Sequence, residues 1–258
     1  MGTKKYDQID VQKLSSSTGI QVTTQAYSNQ QDTALPSVLQ NIDWNSGNSA
    51  DIDLQNSTAE VELVTEGNFA TNTYWSFGSG WSFASTAASM NSTSTGTLYQ
   101  IFGSLLDSDV VYKITFDITT AQAGQTVTPH LVNASGSIVV SGTAQSAASS
   151  GTFTQYLIAT ATCKGVGFVH AAVSGGVLDN VSVKAITTLK LVNPVAGASY
   201  FIKIVNGSSP KTILQFNPSV LWSGGSVGDL TATDNAIDCV VLYYDGTSYL
   251  VSMNNGFA

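Results

Sequence analysis

Between Ala59 and Lys184 apolar and polar residues follow a period of two, and no run repeats at helical spacing. Tyr112, Ile114, Phe116 and Ile118 alternate with Lys113, Thr115 and Asp117, the signature of a half-buried strand. TQYLIATAT and GVGFVHAAV carry less charge and read as strands further inside a sheet pair. Short apolar runs separated by Gly, Ser and Thr make roughly eight strands here, enough for a sandwich or jelly roll. After Lys184 the runs TLKLV, SYFIKIV, KTILQF, DLTAT, IDCVVLYYD and TSYLVSM read as β again, joined by Gly, Pro and Asn turns. Ahead of Ala59, Asp43 to Asp53 reads as a hairpin with SGN as its turn and Trp44, Ile52 and Leu54 as apolar anchors.

Residues 1–36 differ from both regions. Ile9, Val11, Leu14, Ile20 and Val22 are too sparse to build a core, so an extended N-terminal arm is expected, ordered only where something holds it. When the middle is lifted out and Ser57 is joined to Thr187, the flanks read as strand, polar turn and strand. The expected architecture is therefore all-β and nested. Residues 59–186 form a jelly-roll β-sandwich inserted in a second small β-sandwich domain made of 37–58 and 187–258. Exposed polar turns tolerate such insertions, and three domains in a row is the simpler alternative.

Composition narrows the function. Charged residues are 10% of the 258, with 17 acids against nine basic residues, all lysine, for a formal net charge of −8. A nucleic-acid groove is excluded, since phosphate binding needs clustered positive charge. Cys163 and Cys239 lie in apolar runs and read as buried reduced thiols rather than a disulfide framework. MGTKKYDQID lacks the apolar core of a signal peptide, and no run approaches the roughly 20 apolar residues of a membrane span. Neither His130 nor His170 has a Ser, Cys or Asp partner at a motif spacing, and G-x-S-x-G is absent, so no enzyme is expected. The acids Glu60, Glu62, Glu66, Asp107, Asp109, Asp117 and Asp179 could in principle supply a glycosidase pair, although acids bounding strands are usually solvated.

Tyr74 and Trp75 stand in a polar loop, ATNTYWSF, where a large ring has no evident core to fill, although Trp75 could serve core or ligand equally. Sugars stack their C–H faces on such rings and take hydrogen bonds from nearby amides, acids and imidazoles. His130 alternates away from Leu131 and could line the same face.

The order of E-G-N-F (66–69), G-W-S-F (80–83), L-Y-Q (98–100), Y-K-I-T-F (112–116) and L-D-N-V-S-V (178–183) resembles jelly-roll carbohydrate-binding modules of the family 4, 9, 16 and 22 type. That resemblance implies a glycan cleft with Gln100 facing it, and a packing role for Trp81. It also implies a structural calcium held by Glu66, Asn68 and Asp179. One departure weakens the metal: the acidic residue expected after Phe69 is Ala70. No other cofactor is implied.

The flanks, IDWNSGNSADIDL, NPVAGASYFIKIV, LWSGGSVGDLTAT, IDCVVLYYDGTSY and NNGFA, resemble a β domain common at the C-terminal ends of bacteriophage tail-fibre and other virion proteins. Together the two resemblances imply a virion structural protein, fibre or capsid decoration, made in the host cytoplasm and assembled as a homo-oligomer. Its partners would be other virion proteins and host-surface polysaccharide, with no nucleic acid and no membrane insertion. The alternative is an accessory carbohydrate-binding module of a polysaccharide-degrading system.

Overall fold

The structure is a computed structural model that describes residues 39–53, 61–91, 94–120, 122–171, 175–186, 188–207, 215–217, 220–225, 230–231 and 233–257. The expected arm lies outside these residues, as do Leu54 and the Ser57–Thr187 junction. Among the described residues regular structure is all-β apart from two single 3-10 turns at Trp44–Ser46 and Ser223–Gly225.

The chain opens with β1 (Leu39–Asp43) and β2 (Ser49–Asp53). There follow β3 (Ser76–Phe77), β4 (Trp81–Ala84), β5 (Ala87–Met90), β6 (Leu98–Ile101), β7 (Val111–Thr120) and β8 (Thr126–Val132). Next come β9 (Ile138–Ser141), β10 (Gln145–Ser146), β11 (Gly151–Ile158), β12 (Gly165–His170) and β13 (Val177–Ala185). The last six are β14 (Thr188–Val192), β15 (Ser199–Val205), β16 (Gln215–Asn217), β17 (Leu221–Trp222), β18 (Ile237–Tyr244) and β19 (Tyr249–Phe257).

Strands β3 to β13 make two facing sheets, ordered β10-β8-β12-β6-β3 and β11-β7-β13-β5-β4. From β6 to β8 and again from β11 to β13 the chain alternates between the sheets, which gives a jelly-roll sandwich. The alternation of 112–118 holds: Tyr112, Ile114, Phe116 and Ile118 are buried, while Lys113, Thr115 and Asp117 are half-exposed. GVGFVH becomes the central strand β12, flanked by β6 and β8. TQYLIATAT does not lie inside: β11 is an edge strand paired only with β7, and its outer face is exposed. The opening of this sandwich lies along its close. Glu62 bridges Lys184, Leu63 N donates to Val183 O at 3.0 Å, and Val181 N donates to Gly67 O at 2.8 Å.

The remaining strands make a second sandwich, with β1-β14-β16 facing β17-β19-β18-β15-β2. Here the expected hairpin of Asp43–Asp53 is corrected. β1 pairs in parallel with β14 and β2 pairs in parallel with β15, in different sheets. Trp44 explains the crossing. Its ring is buried between the sheets, stacked on Tyr200 at 4.2 Å, and its Nε1 donates to the Tyr249 hydroxyl at 3.1 Å. A residue with that much apolar surface turns the chain across the core rather than back beside itself. By the same pairing β2 and β14 are not two arms of one hairpin. The two cores are separate clusters, one around Phe116 and Phe168 and one around Ile202 and Leu242. Cys163 is buried in the first, whereas Cys239 is only half-buried in the second sandwich; both are free.

Among the described residues of the second sandwich Asp238 is a fully buried charged residue, on β18. Burial alone would raise its pKa. Bonds from Thr231 N (2.7 Å), Thr231 Oγ1 (2.6 Å), Gly256 N (2.9 Å) and Asn206 Nδ2 (2.8 Å) outweigh that and hold it below the usual carboxylate range. The carboxylate ties the β19 end and the 230–231 segment to β18. A lowered folded pKa contributes stability that is present above the ordinary carboxylate pKa and lost as pH falls through the lowered value. Asp238→Ala leaves buried donors unsatisfied and should cost about 3 kcal/mol, or ~6–12 °C in thermal midpoint. Asp238→Asn should lose less and remove part of the acid limb of a stability-versus-pH curve. A midpoint unchanged in Asp238→Ala would show the cluster to be ornamental.

Candidate functional site

Of the four ring, amide and imidazole candidates, only Tyr74 stands open, 52% exposed in the loop after Phe69. Trp75 is corrected: it is 5% exposed, packed on Phe69 with centroids 4.8 Å apart, and its Nε1 donates to Glu66 O at 3.1 Å. The loop that looked polar in sequence is folded by its own rings, with Phe69 fully buried beneath it. Trp81 is core as well, edge-on to His170 at 4.9 Å, with Nε1 donating to Gly96 O at 2.8 Å.

Gln100 is also corrected. It points inward on β6, accepts from Thr65 N and donates to Thr65 O, both at 2.8 Å. The amide thus imitates a strand neighbour for the incoming chain and has no face toward a ligand. His130 is 5% exposed, and neither ring nitrogen has a hydrogen-bond partner. It shares a row with Tyr99 and Gly167, and Tyr99 in turn is capped by the turn at Gly136, where an added Cβ would come within 2.5 Å of the ring. That outer face of the β6–β12–β8 sheet is therefore closed rather than open to a sugar.

The calcium donors do not fit. Glu66 Oε2 accepts from Thr71 Oγ1, Asn68 Oδ1 from Ala70 N at 3.3 Å, and Asp179 Oδ1 from Asn180 N at 2.7 Å. Each of these oxygens is turned toward a local donor. Among the described residues no group of three or more His, Cys, Asp or Glu could hold a metal ion. A hard dication needs six or more converging oxygens. What the E-G-N-F turn does instead is dock: a Cβ on Gly67 would meet Val181 O at 1.8 Å, so only glycine lets the loop close on β13.

The open surface lies on the other sheet. On β11, Thr152, Thr154 and Tyr156 point out, and their register partners on β7 are Asp117, Thr115 and Lys113. On β13 the partners are Asp179, Ser182 and Lys184. Three strands thus present three rows of polar side chains, about 10 Å across and ~13 Å along. Asp117 centres one end: Oδ1 accepts from Thr152 Oγ1 at 2.6 Å and Oδ2 from Asn180 Nδ2 at 2.8 Å. Asn180 reaches it from a β-bulge, at φ 50°. Burial first, and then the Asp117 carboxylate, push the Asp179 pKa up against the bond from Asn180 N. Tyr156, 36% exposed, closes the opposite end. Its alternation with Thr154 and Thr152 was the available signal, missed because the low charge of TQYLIATAT read as interior. The loop bearing Tyr74 docks through Gly67 on the bulged end.

This face can do one thing well: offer hydroxyls, an amide, carboxylates and ammoniums in a flat lattice with a ring at its edge. It does not make a hydrolytic pair. Asp117 and Asp179 sit side by side on an open sheet surface, with both Asp117 oxygens already bonded, whereas hydrolysis needs carboxyls on either side of a bond in a cleft.

A different surface lies on the second sandwich: a groove of about 390 Å³ lined by Leu221, Trp222, Val241, Tyr243 and Leu250, with three serine and valine neighbours. Its walls are mainly apolar, with the Trp222 and Tyr243 rings set among aliphatic side chains.

No family model matches the chain, and no curated protein matches it. Solved structures are similar at low identity. The enzymatically active domain of bacteriophage CBA120 tailspike protein 4 is 10% identical, with 49% of this chain and 22% of that chain covered and a TM-score of 0.37. The CBM22-1 xylan-binding domain of Paenibacillus barcinonensis Xyn10C is 10% identical over 50% of this chain and 97% of that one, with a TM-score of 0.35. A family 29 carbohydrate-binding module is 17% identical over 54% and 100%, with a TM-score of 0.36.

Two predictions follow from the buried candidates. Trp75→Ala removes a core ring and should cost about 4 kcal/mol, lowering the thermal midpoint by ~8–16 °C; a shift under a few degrees would put the ring back at the surface. Burial lowers the His130 pKa below its ordinary value. A lowered histidine makes the unfolded chain bind more protons, so its contribution is whole above the unfolded pKa of about 6.5 and is lost as pH falls below that. His130→Leu should keep or raise the midpoint at neutral pH and flatten its fall between neutral and mildly acidic pH, as followed by circular dichroism. An unchanged acid slope would refute the assignment.

Proposed function

We propose that this chain is a glycan-binding structural protein of a bacteriophage particle, a fibre or decoration subunit that attaches to host-surface polysaccharide. The observation that carries the binding reading is the nine-position polar lattice on β11, β7 and β13, edged by Tyr156. Saccharides are recognised by many modest hydrogen bonds laid out on a flat surface together with one or two stacked rings, and this surface supplies both.

The particle reading rests on the resemblance of 37–58 and 187–258 to virion domains. Strand pairing across the jelly roll supports nesting 59–186, as displayed module, in a host domain of 37–58 and 187–258, with 1–36 proposed as the anchor. No catalysis is assigned. Single-site binding is weak, since a shallow face supplies little beyond the entropy lost on association, and many copies on one particle compensate by avidity.

Affinity electrophoresis in gels containing host-surface polysaccharide tests the reading. Tyr156→Ala should weaken retardation several-fold, up to about tenfold, the scale of losing a stacking ring, while moving the thermal midpoint by no more than ~3 °C. Retardation unchanged in Tyr156→Ala would move the site elsewhere.

A further inference from the structure

Lys113 and Lys184 are register partners on the neighbouring strands β7 and β13, and Tyr156 is the partner of Lys113 on its other side. Like charges directly opposite one another across a strand pair destabilise a sheet, with Cβ atoms about 5 Å apart. The chain has nine lysines against 17 acids, so counter-charges are plentiful in composition. They are supplied on one side only: Glu62 is the bridge partner of Lys184, whereas Lys113 has Tyr156 and Lys184 at its register positions. Among the described residues the ion pair is Lys190 with Asp109, elsewhere on the molecule.

The acids nearest this row are engaged. Glu62 Oε1 accepts from Val64 N at 3.0 Å and Val183 N at 2.8 Å, and its Oε2 accepts from Ser182 Oγ. Asp117, four residues along β7, is held by Thr152 and Asn180. Two lysines at register positions, flanked by one carboxylate that bonds Val64 N, Val183 N and Ser182 Oγ rather than an ammonium, leave net positive charge at this end of the face.

Resting on the glycan reading above, we propose that Lys113 and Lys184 form an anion subsite, and that the saccharide bound by this face carries a carboxylate, as a uronic acid does. The face is then polar end to end. The carboxylate sits over the lysine row beside Tyr156, and hydroxyls of following sugars donate to Asp179, whose Oδ1 alone is bonded by Asn180 N, about 13 Å away along the strands. A compact ammonium with three donors takes both a carboxylate oxygen and an adjacent hydroxyl. The arrangement fixes the direction in which a chain lies and disfavours a neutral polymer, which leaves the two charges facing each other.

The test compares oligogalacturonate with its methyl ester, the same chain with its charges capped, by calorimetric titration of the full-length protein. Wild type should bind the acid form about tenfold more tightly than the ester, the scale of a charge-assisted contact, and the preference should shrink as salt rises. Lys113→Gln and Lys184→Gln should each cut the preference several-fold and the double variant should erase it. Neither should lower the thermal midpoint, because each relieves the repulsion. Equal wild-type binding of both forms, lost in Tyr156→Ala, would overturn the subsite and leave the glycan reading standing. Acid-form binding indifferent to both lysine variants would overturn it too, as would failure to bind either form. Retained ester binding in the double variant with the acid preference gone is the result that supports it.

Discussion

Parallel pairing of Leu39–Asp43 with Thr188–Val192, and of Ser49–Asp53 with Ser199–Val205, joins residues from either side of the jelly roll into the same two sheets. Among the described residues each early strand pairs with one strand from beyond the jelly roll, so the second sandwich brings both chain ends of the first together. The first sandwich meets that demand through its own closing contacts, Glu62 with Lys184 and Gly67 with Val181. Where the two meet, Val111 N donates to Thr188 Oγ1 at 2.9 Å, and Lys190 pairs with Asp109 at 2.5 Å. Loop-closure entropy grows slowly with length, so a folded module with adjacent ends is tolerated where a long floppy loop of similar span would gain nothing.

That constraint also assigns the faces. The loop from Glu66 to Trp75 is fixed by docking on the bulge of β13, and its Phe69 and Trp75 rings go inward while Tyr74 stays exposed. The β6–β12–β8 outer face is closed by the turn over Tyr99, which leaves His130 buried without a partner. What stays open is the β11–β7–β13 face, whose residues are spoken for by neither core. Its bulge at Asn180 delivers an amide to Asp117 and brings Asp179 alongside, so backbone irregularity and surface chemistry coincide there.

The period-two pattern made the strands legible, because alternation is a local consequence of a pleated chain with one wet side: Tyr112 to Ile118 reads the same in sequence and in structure. The all-β class is equally readable, while the packing role of Trp81 follows only from the family resemblance. Harder were elements whose meaning depends on partners far along the chain. Asp43–Asp53 carries every turn residue of a hairpin, yet its strands part company because Trp44 finds Tyr200 and Tyr249. Trp75 reads as core or ligand alike in sequence, and Gln100 as a ligand group by resemblance, since nothing adjacent in sequence announces Phe69 beneath one and Thr65 beside the other.

Sequence by itself therefore determined the β class, the acidic and arginine-free surface, and the two segments that fold around different cores, all of which depend on residue type and near-neighbour spacing. Tertiary structure alone decided which polar residues share a face. Tyr156, Lys113 and Lys184 are brought into one row by inter-strand register, and register is set by core packing on the opposite side of each strand, where Phe153, Ile114 and Val183 interlock. A one-residue slip would turn every one of those side chains inward, and no local pattern encodes which slip the far strand will choose.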